Sequence, residues 1–523
     1  MKQIGTSPRS FERRLIQVAV ASCFAGSALA NPQGPSVAAG AANFGQAGNT
    51  LTVTTSPGTV INWQAFSIGR NEVTRFVQQG AASAVLNRVT GTESSAILGQ
   101  LLSNGRVFLI NPNGVAIGAG ARIDVAGFVA SSLNLSNEDF LAGRMRFTDS
   151  GTSAKVENHG TINTAAGGAV YLVAPTVENH GVITAPNGDI VLAAGKSVEL
   201  VASNSPDIRV QLNAPGDKAI NVGELVGKHI GIYGGLIVNA GQVSATGASV
   251  DEAGNIVLKA TKDVTLEAGS RLAANGASGG AITVQAETGT LLASGTIEVK
   301  GSSAAGGTVH LLGDRVGLVD HAKVDASGAT GGGAVLVGGD YQGRNAAVQN
   351  ASRTYVNSDA TIKADAIDRG DGGKVIVWAD GDTRYDGAIS AKGGATVGNG
   401  GFVEVSGKQS LGFHGSVETS AANGAFGTLL LDPTNITVVA GATPNPPNAA
   451  DGLWSYAEDP GSQNIGAGAI NTLLNANNLT LQATNNITVG SAIAYNGASD
   501  RTLTLQANNN ITVSQAISTS GGR

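Results

Sequence analysis

Apolar positions along this chain come in short bursts, never in long runs. In VFLINPNGVAIGAGARIDVAGFVASS, from Val107 to Ser132, the bursts VFLI, VAI, IDV and FVA are separated by little except Asn, Pro, Gly and Ala. Elsewhere the bursts are three to six residues long, rich in Val, Ile, Leu and Thr. Many alternate apolar with small or polar residues, the period of a strand. The bursts also recur as units. VENHG occurs at Val156–Gly160 and again 21 residues on at Val177–Gly181. LTLQATNNITV at Leu479–Val489 returns as LTLQANNNITV at Leu503–Val513, 24 residues on. Between them a Gly pair repeatedly opens a strand, at Gly279, Gly306, Gly332, Gly372 and Gly400, with spacings of 27, 26, 40 and 28. Most units thus span 21–28 residues, and the long spacing places an insertion around Tyr341–Asp371.

A hairpin meander gives short strands but not near-identical units at one period. A parallel β-helix gives both. Each unit is then one coil of about three strands, and equivalent positions stack at about 4.8 Å. One coil cannot bury its own apolar face, so stability comes from its neighbours. Gly and Asn mark the corners, where the backbone bends into left-handed conformations. In the opening stretch VFLI, VAI and IDV fall one to a face, with NPNG and GAGA between them. About twenty coils of about 24 residues predict a rod on the order of 100 Å long.

Composition agrees. Of 523 residues 75 are Gly, 42% are apolar and only 13% are charged, which argues for a large core and against long helices. The first thirty residues are different. Lys2, Arg9, Arg13 and Arg14 precede the apolar stretch LIQVAVASCFAGSAL, and Ala28-Leu29-Ala30 is a small-x-small cleavage site before Asn31. That is a secretory signal peptide for the Sec export machinery, cut between Ala30 and Asn31. The single cysteine, Cys23, lies inside it, so the mature chain enters an oxidising compartment with no disulfide. Removing the leader takes the basic residues from 32 to 28 and the acidic ones from 38 to 37, a net charge of −9. Such a surface argues against nucleic acid as a partner, because phosphate binding needs clustered Lys and Arg.

Four motifs in the N-terminal third carry a more specific signal. INWQAFSIG (Ile61–Gly69), VLNRVTG (Val85–Gly91), ILGQLLSNGRVFLINPNGVAIG (Ile97–Gly118) and FVASSLNLSNEDFLAG (Phe128–Gly143) resemble, in order, the two-partner secretion domain of filamentous haemagglutinin-type exoproteins. LLLDPTNITV (Leu429–Val438) resembles a segment downstream in such proteins. The resemblance implies an all-β, right-handed parallel β-helix with an N-terminal capping and secretion region. It also implies export through an outer-membrane β-barrel transporter that recognises that region. The family's secretion motif maps onto Asn111, Pro112 and Asn113, with Gly114 completing the turn; a second, NPNL-type copy found in some members is absent.

Some parallel β-helices are polysaccharide-active enzymes, so catalytic chemistry is a reading to weigh. Glycoside hydrolysis needs two convergent carboxylates. The densest acidic run is Asp368–Gly387, where Asp380-Gly381-Asp382 begins like a calcium loop but Arg384 stands where a third ligand belongs. Gly276-Ala277-Ser278-Gly279-Gly280 matches a nucleophile-elbow pattern with no helix after it. His159 and His180 occupy equivalent positions one coil apart, about 5 Å from each other, and read as a repeated Asn-His-Gly corner in preference to a metal pair. Arg369, Gly370 and Asp371 spell a tripeptide that some adhesins present to receptors, here inside the insertion. No catalytic residue, cofactor or metal is expected.

The chain therefore divides into a signal peptide (1–30), the core of a secretion domain (31–150), its continuation into β-helix repeats (151–275), the Gly-Gly-strand repeats (276–430), and a linker with further repeats (431–523). It reads as a secreted or surface-associated adhesin-type exoprotein of a Gram-negative bacterium, meeting a host-cell or bacterial surface receptor. The alternatives are a polysaccharide-active enzyme and the N-terminal part of a contact-dependent toxin. ISTSGGR follows the last strand with no covering helix, so the expectation is that this is a piece of a longer repeat protein.

Overall fold

A computed structural model describes residues 31–151, 153–201, 209–212, 217–245, 254–441, 462–497 and 500–520. The signal peptide, Cys23 and Ala30 lie outside the described residues. Forty strands share one hydrogen-bonded network, and nearly all its pairings are parallel. Like residues stack: Ile256 lies beside Ile282, Ile282 beside Val309, Val309 beside Val335, and Val335 beside Val375. The fold is a parallel β-helix with three strand faces.

The opening sequence stretch supplies one coil. Arg106–Ile110 lies on a first face, Val115–Ile117 on a second and Arg122–Val125 on a third. Gly127–Ser131 then returns to the first face beside Arg106–Ile110. The first face holds about sixteen rungs among the described residues, from Thr59–Trp63 to Leu503–Ala507. That gives a rod on the order of 70 Å, shorter than the period alone predicts. The reason is that several coils carry excursions, so the same residues make fewer rungs.

The interior is one column of Val, Ile, Leu and Ala running the length of the rod. The amino end is closed by antiparallel pairing, Ser36–Ala39 on Thr59–Trp63 and Ala42–Ala47 on Thr50–Thr55. Phe44, Trp63, Phe66 and Phe76 pack there in succession with ring centroids 5.7, 5.7 and 6.5 Å apart. Asn31, the first residue after the expected cleavage site, is already built in: its amide accepts from Thr74 Oγ1 at 2.9 Å and donates to Asn49 O at 3.0 Å.

Two corners explain the sequence signals. The Gly pairs turn the third face into the first, where successive coils touch through backbone. A Cβ on Gly373 would strike the Gly333 carbonyl, one on Gly333 the Gly307 carbonyl, and one on Gly401 the Gly373 carbonyl. Only glycine fits, even though these residues need no left-handed φ. At the end of the second face Asn158, Asn179, Asn221 and Asn239 stack, wholly buried, each Nδ2 donating to the next Oδ1 at 2.8, 2.9 and 2.8 Å. VENHG is thus the first part of a longer Asn-x-Gly ladder whose later flanking residues differ.

Among the described residues, α-helix interrupts the strands in two places. Ala467–Ala476 packs between Ser416–Glu418 and Ile493–Tyr495, taking the place of a third-face strand, with Ile470, Leu473 and Leu474 buried. Among the described residues no helix is long and apolar enough to cross a membrane.

The glycine argument has a direct check. Gly373→Ala forces backbone apart and should cost about 1–3 kcal/mol. Gly45→Ala, in an open strand position with nothing within 4 Å, should change the thermal unfolding midpoint little. Equal midpoints for the two variants would mean the coils absorb the extra carbon.

Candidate functional site

The Asn111–Gly114 corner joins the first face to the second in the coil described above. Asn111 is fully buried. Its Nδ2 donates to Glu93 O at 3.0 Å and to Ser95 Oγ at 2.9 Å, both in the preceding coil. Its Oδ1 accepts the Asn113 backbone N–H at 3.0 Å. Asn113, half-buried, donates through Nδ2 to Gly91 O at 2.9 Å. The following coil is met by backbone alone: Ala154 N–H donates to Pro112 O at 2.9 Å and Val115 N–H to Lys155 O at 3.2 Å. Gly114 has φ 103° and lies against Lys155 O, so no side chain is tolerated. Proline suits a position whose N–H would have no partner. The four residues thus bind the preceding coil through two asparagine side chains and the Gly114 carbonyl, and the next through main chain.

Beside this corner the chain leaves the rod. A four-stranded antiparallel sheet is formed there by Asn134–Leu135, Met145–Thr148, Ser197–Val201 and Arg209–Leu212. A short helix, Asn137–Leu141, starts at Ser136, whose Oγ accepts Asp139 N–H at 3.0 Å. The sheet covers the outer side of the first face. Strands there alternate Val107 and Leu109 into the rod with Phe108 and Ile110 outward, and the outward residues meet Leu135, Phe140, Phe147, Val198 and Leu200. Phe108 and Phe140 pack edge to face at 5.1 Å. Arg88 ties the excursion down, donating to Leu135 O at 2.6 Å and Asn137 Oδ1 at 2.7 Å. Sequence reading missed this lateral sheet. The Ser136-to-Asp139 capping pattern was a visible signal for the helix, but nothing local marks strands that pair across more than fifty residues.

The other candidates are corners. His159 and His180 stack with centroids 4.7 Å apart and planes within 3°. Each faces a carboxylate, His159 to Glu157 at 3.9 Å and His180 to Glu178 at 3.6 Å, and Lys155 reaches both glutamates. The neighbouring His159 ring and the Lys155 ammonium hold Glu157 down at about 2. Among the described residues no three His, Cys, Asp or Glu side chains are placed to hold a metal. Asp380 accepts from Trp378 Nε1 and Asn350 Nδ2, whereas Asp382 pairs with Arg353 at 3.3 Å; Arg384 pairs with Asp386 at 2.8 Å. Ser278 sits in a corner stacked on Gly301, followed by a strand.

Arg369-Gly370-Asp371 corrects the sequence picture. The excursion covers only residues 338–352; Arg353–Val356 and Thr361–Lys363 are regular strands, and the tripeptide lies in the stacked corners after them. Gly370 N–H donates to Val397 O at 2.7 Å, and Asp371 Oδ1 accepts Asn399 N–H at 2.7 Å. The long Gly-pair spacing cannot distinguish an insertion placed before a pair of strands from one placed after them.

A parallel β-helix carrying this corner and a lateral antiparallel sheet near its capped amino end defines a secretion-domain exoprotein. The TPS secretion domain family matches residues 28–349, well over half the chain, and the chain belongs to that family. The HMW1 secretion domain of Haemophilus influenzae, a crystal structure, superposes with TM-score 0.62 at 34% identity, covering 76% of this chain and all of that one. Two heme/hemopexin-binding proteins of Haemophilus influenzae are similar over shorter stretches. One is 41% identical over 130 residues, 24% of this chain and 14% of the relative; the other is 40% identical over 88 residues, 17% and 10%. The chain therefore matches only a small part of those relatives' length.

The corner's bonds predict unequal variants. Asn111→Ala strands buried partners in the preceding coil and should destabilise by about 2–3 kcal/mol. Asn113→Ala, half-exposed, should cost about 1 kcal/mol. Urea unfolding followed by circular dichroism ranks them; the reverse order would refute the bonding scheme.

Proposed function

We propose that this chain is a non-enzymatic, adhesin-type exoprotein, carried to the cell surface or beyond by two-partner secretion. The observation that carries the reading is the secretion-domain match across residues 28–349 together with the shared β-helix. An outer-membrane barrel transporter is the partner that such a domain implies. The leader at residues 1–30 takes the chain to the periplasm through the Sec machinery, with cleavage between Ala30 and Asn31. A rod whose faces repeat suits the task of holding a contact surface away from a membrane. Its receptor is a host-cell or bacterial surface. The similarity to heme/hemopexin-binding proteins covers 14% and 10% of their lengths, so it supports shared export and not shared cargo.

Recognition by the transporter involves Asn111, Pro112, Asn113 and Gly114 before their coil closes. Once it closes, Asn111 is out of reach. Asn113→Ala is the informative variant, because its expected stability loss is small. Co-expressed with its cognate barrel, it should be exported several-fold less than the unmodified chain. Wild-type export of a folded Asn113→Ala protein would reduce the motif to a structural corner. The adhesin reading is tested by binding of the purified chain to epithelial and bacterial cells. Turnover of acidic polysaccharides with Ca²⁺ would overturn it in favour of an enzyme.

A further inference from the structure

The excursion at residues 338–352 does not project into solvent. It lies along the outer side of the first face and is tied down at both ends. Gln349 reaches back, accepting from Gln285 Nε2 at 2.9 Å and donating to Glu287 O at 2.9 Å. Gln342 reaches forward, its N–H donating to Glu404 Oε2 at 3.1 Å and its Nε2 to Gln482 Oε1 at 3.1 Å. Gln342 holds φ 53° in a single tight turn capped by Asp340, an unfavourable conformation for a residue with a side chain. In between, Val348 packs against Leu336, Ile376 and Trp378, and the Tyr341 ring meets Phe402 edge to face at 5.7 Å. The segment straps the strand Ala281–Ala293 to the strand Asn478–Ala483 across the rungs between them.

The surface beneath the strap is unusual in one row. His310, Leu336, Ile376, Glu404 and Leu430 align on successive rungs. Leu336, Ile376 and Leu430 are buried, and so, completely, is Glu404. Its Oε2 takes the Gln342 N–H, while its Oε1 has no partner. On the next coil Asp432 is also buried, its Oδ1 likewise unpartnered, with its own N–H on Ser406 Oγ at 3.2 Å. The charged groups around them are few. Lys374, one rung back, is committed to Asp340 at 2.7 Å. Arg344 of the strap faces Asp432, Asp380 is held by Asn350 and Trp378, and half-buried His310 faces Asp340 and Lys374. Glu404 beneath the strap and Asp432 on the next coil, both buried and neither bonded to a cation among the described residues, form a poor site for two negative charges.

We propose that residues 338–352 form a proton-operated strap, closed over this face while Glu404 and Asp432 are protonated and released when both ionise, baring Leu336, Ile376 and Trp378.

The direction follows from burial. It raises Glu404 to about 7 and Asp432 to about 6. An acid raised in the closed state favours that state below its ordinary range, and the advantage is lost as pH rises through the raised value. The strap is therefore held most firmly below about pH 4, loosens as pH rises, and has lost the carboxyls' contribution above about pH 7. His310 acts oppositely: burial lowers it, so its protonation at the acid end works against closure. Release on raising the pH is a property of the two carboxyls, and the histidine cannot mimic it.

The test is hydrogen exchange of residues 338–352 in the whole chain between pH 5 and 8.5, corrected for intrinsic exchange rates. Strap opening should rise on the order of 100-fold over that range. Glu404→Gln with Asp432→Asn should keep the strap protected throughout. Glu404→Leu, which continues the aliphatic row, is the second variant and should do the same for the Glu404 share. Opening that does not change with pH in the wild type, or that rises equally in the double variant, would overturn the proposal.

Discussion

Everything in this molecule follows from coils stacking through their backbones at strand spacing. On the three faces the stacking is satisfied by parallel ladders, where each N–H and C=O has a partner above or below. The corners are harder. There the chain must turn without letting the side chains of one coil collide with the main chain of the next. Gly333, Gly373 and Gly401 meet that demand by having no side chain at all. Asn158, Asn179, Asn221 and Asn239 meet it differently, by turning a buried amide into a rung of the ladder. A buried amide that bonds its own kind above and below is satisfied wherever the stack continues. This explains why the same residue recurs although its neighbours drift.

A face of stacked strands has two sides, and only one can point into the rod. Along the first face the outer side is also partly apolar, so it must be covered or left exposed to solvent. Near the amino end the four-stranded antiparallel sheet covers it, through Phe140, Phe147, Val198 and Leu200. Farther along, the strap covers Leu336, Ile376 and Trp378. Both covers are excursions inserted between strands of a coil, so the period of the rod is preserved on either side. The third face shows the complementary solution. There the helix Ala467–Ala476 replaces a strand and offers Ile470 and Leu474 to the core in its stead.

The parts of the fold that were legible in the sequence are those enforced by this stacking. The Gly pairs, the repeated VENHG and the twin LTLQA segments are each pinned by contact with a neighbour of the same kind, so they repeat visibly. Residues with outward tasks escape the period. The lateral sheet pairs Phe147 with Val198, and no local pattern announces a partner so distant. Nothing local marks Glu404 in the strand Phe402–Gly407, yet it is wholly buried with its carboxyl bonded to Gln342 of the strap. The Arg369-Gly370-Asp371 letters match a recognition tripeptide, and the structure moves them from an insertion to a stacked corner whose aspartate bonds the next coil. The Asn111–Gly114 corner was legible only through its resemblance to the family's motif, because four residues of turn chemistry are not distinctive by themselves.

Stacking also constrains how such a rod can form. Because each coil contacts only its neighbours, growth from an existing coil is favourable and the first coil is not. A nucleus must therefore gain from contacts close in sequence, where loop closure costs least. The amino end offers that. Ala42–Ala47 and Thr50–Thr55 pair antiparallel across a tight turn, and the Trp63, Phe66 and Phe76 rings meet within a few residues of one another. The Asn111 corner lies only a few rungs farther on and bonds the coils on both sides of it, through side chains and main chain to one and main chain to the other. With no cysteine after Cys23, no crosslink has to form or be undone along the way. The amino-terminal cap is therefore where short-range contacts favour a first coil.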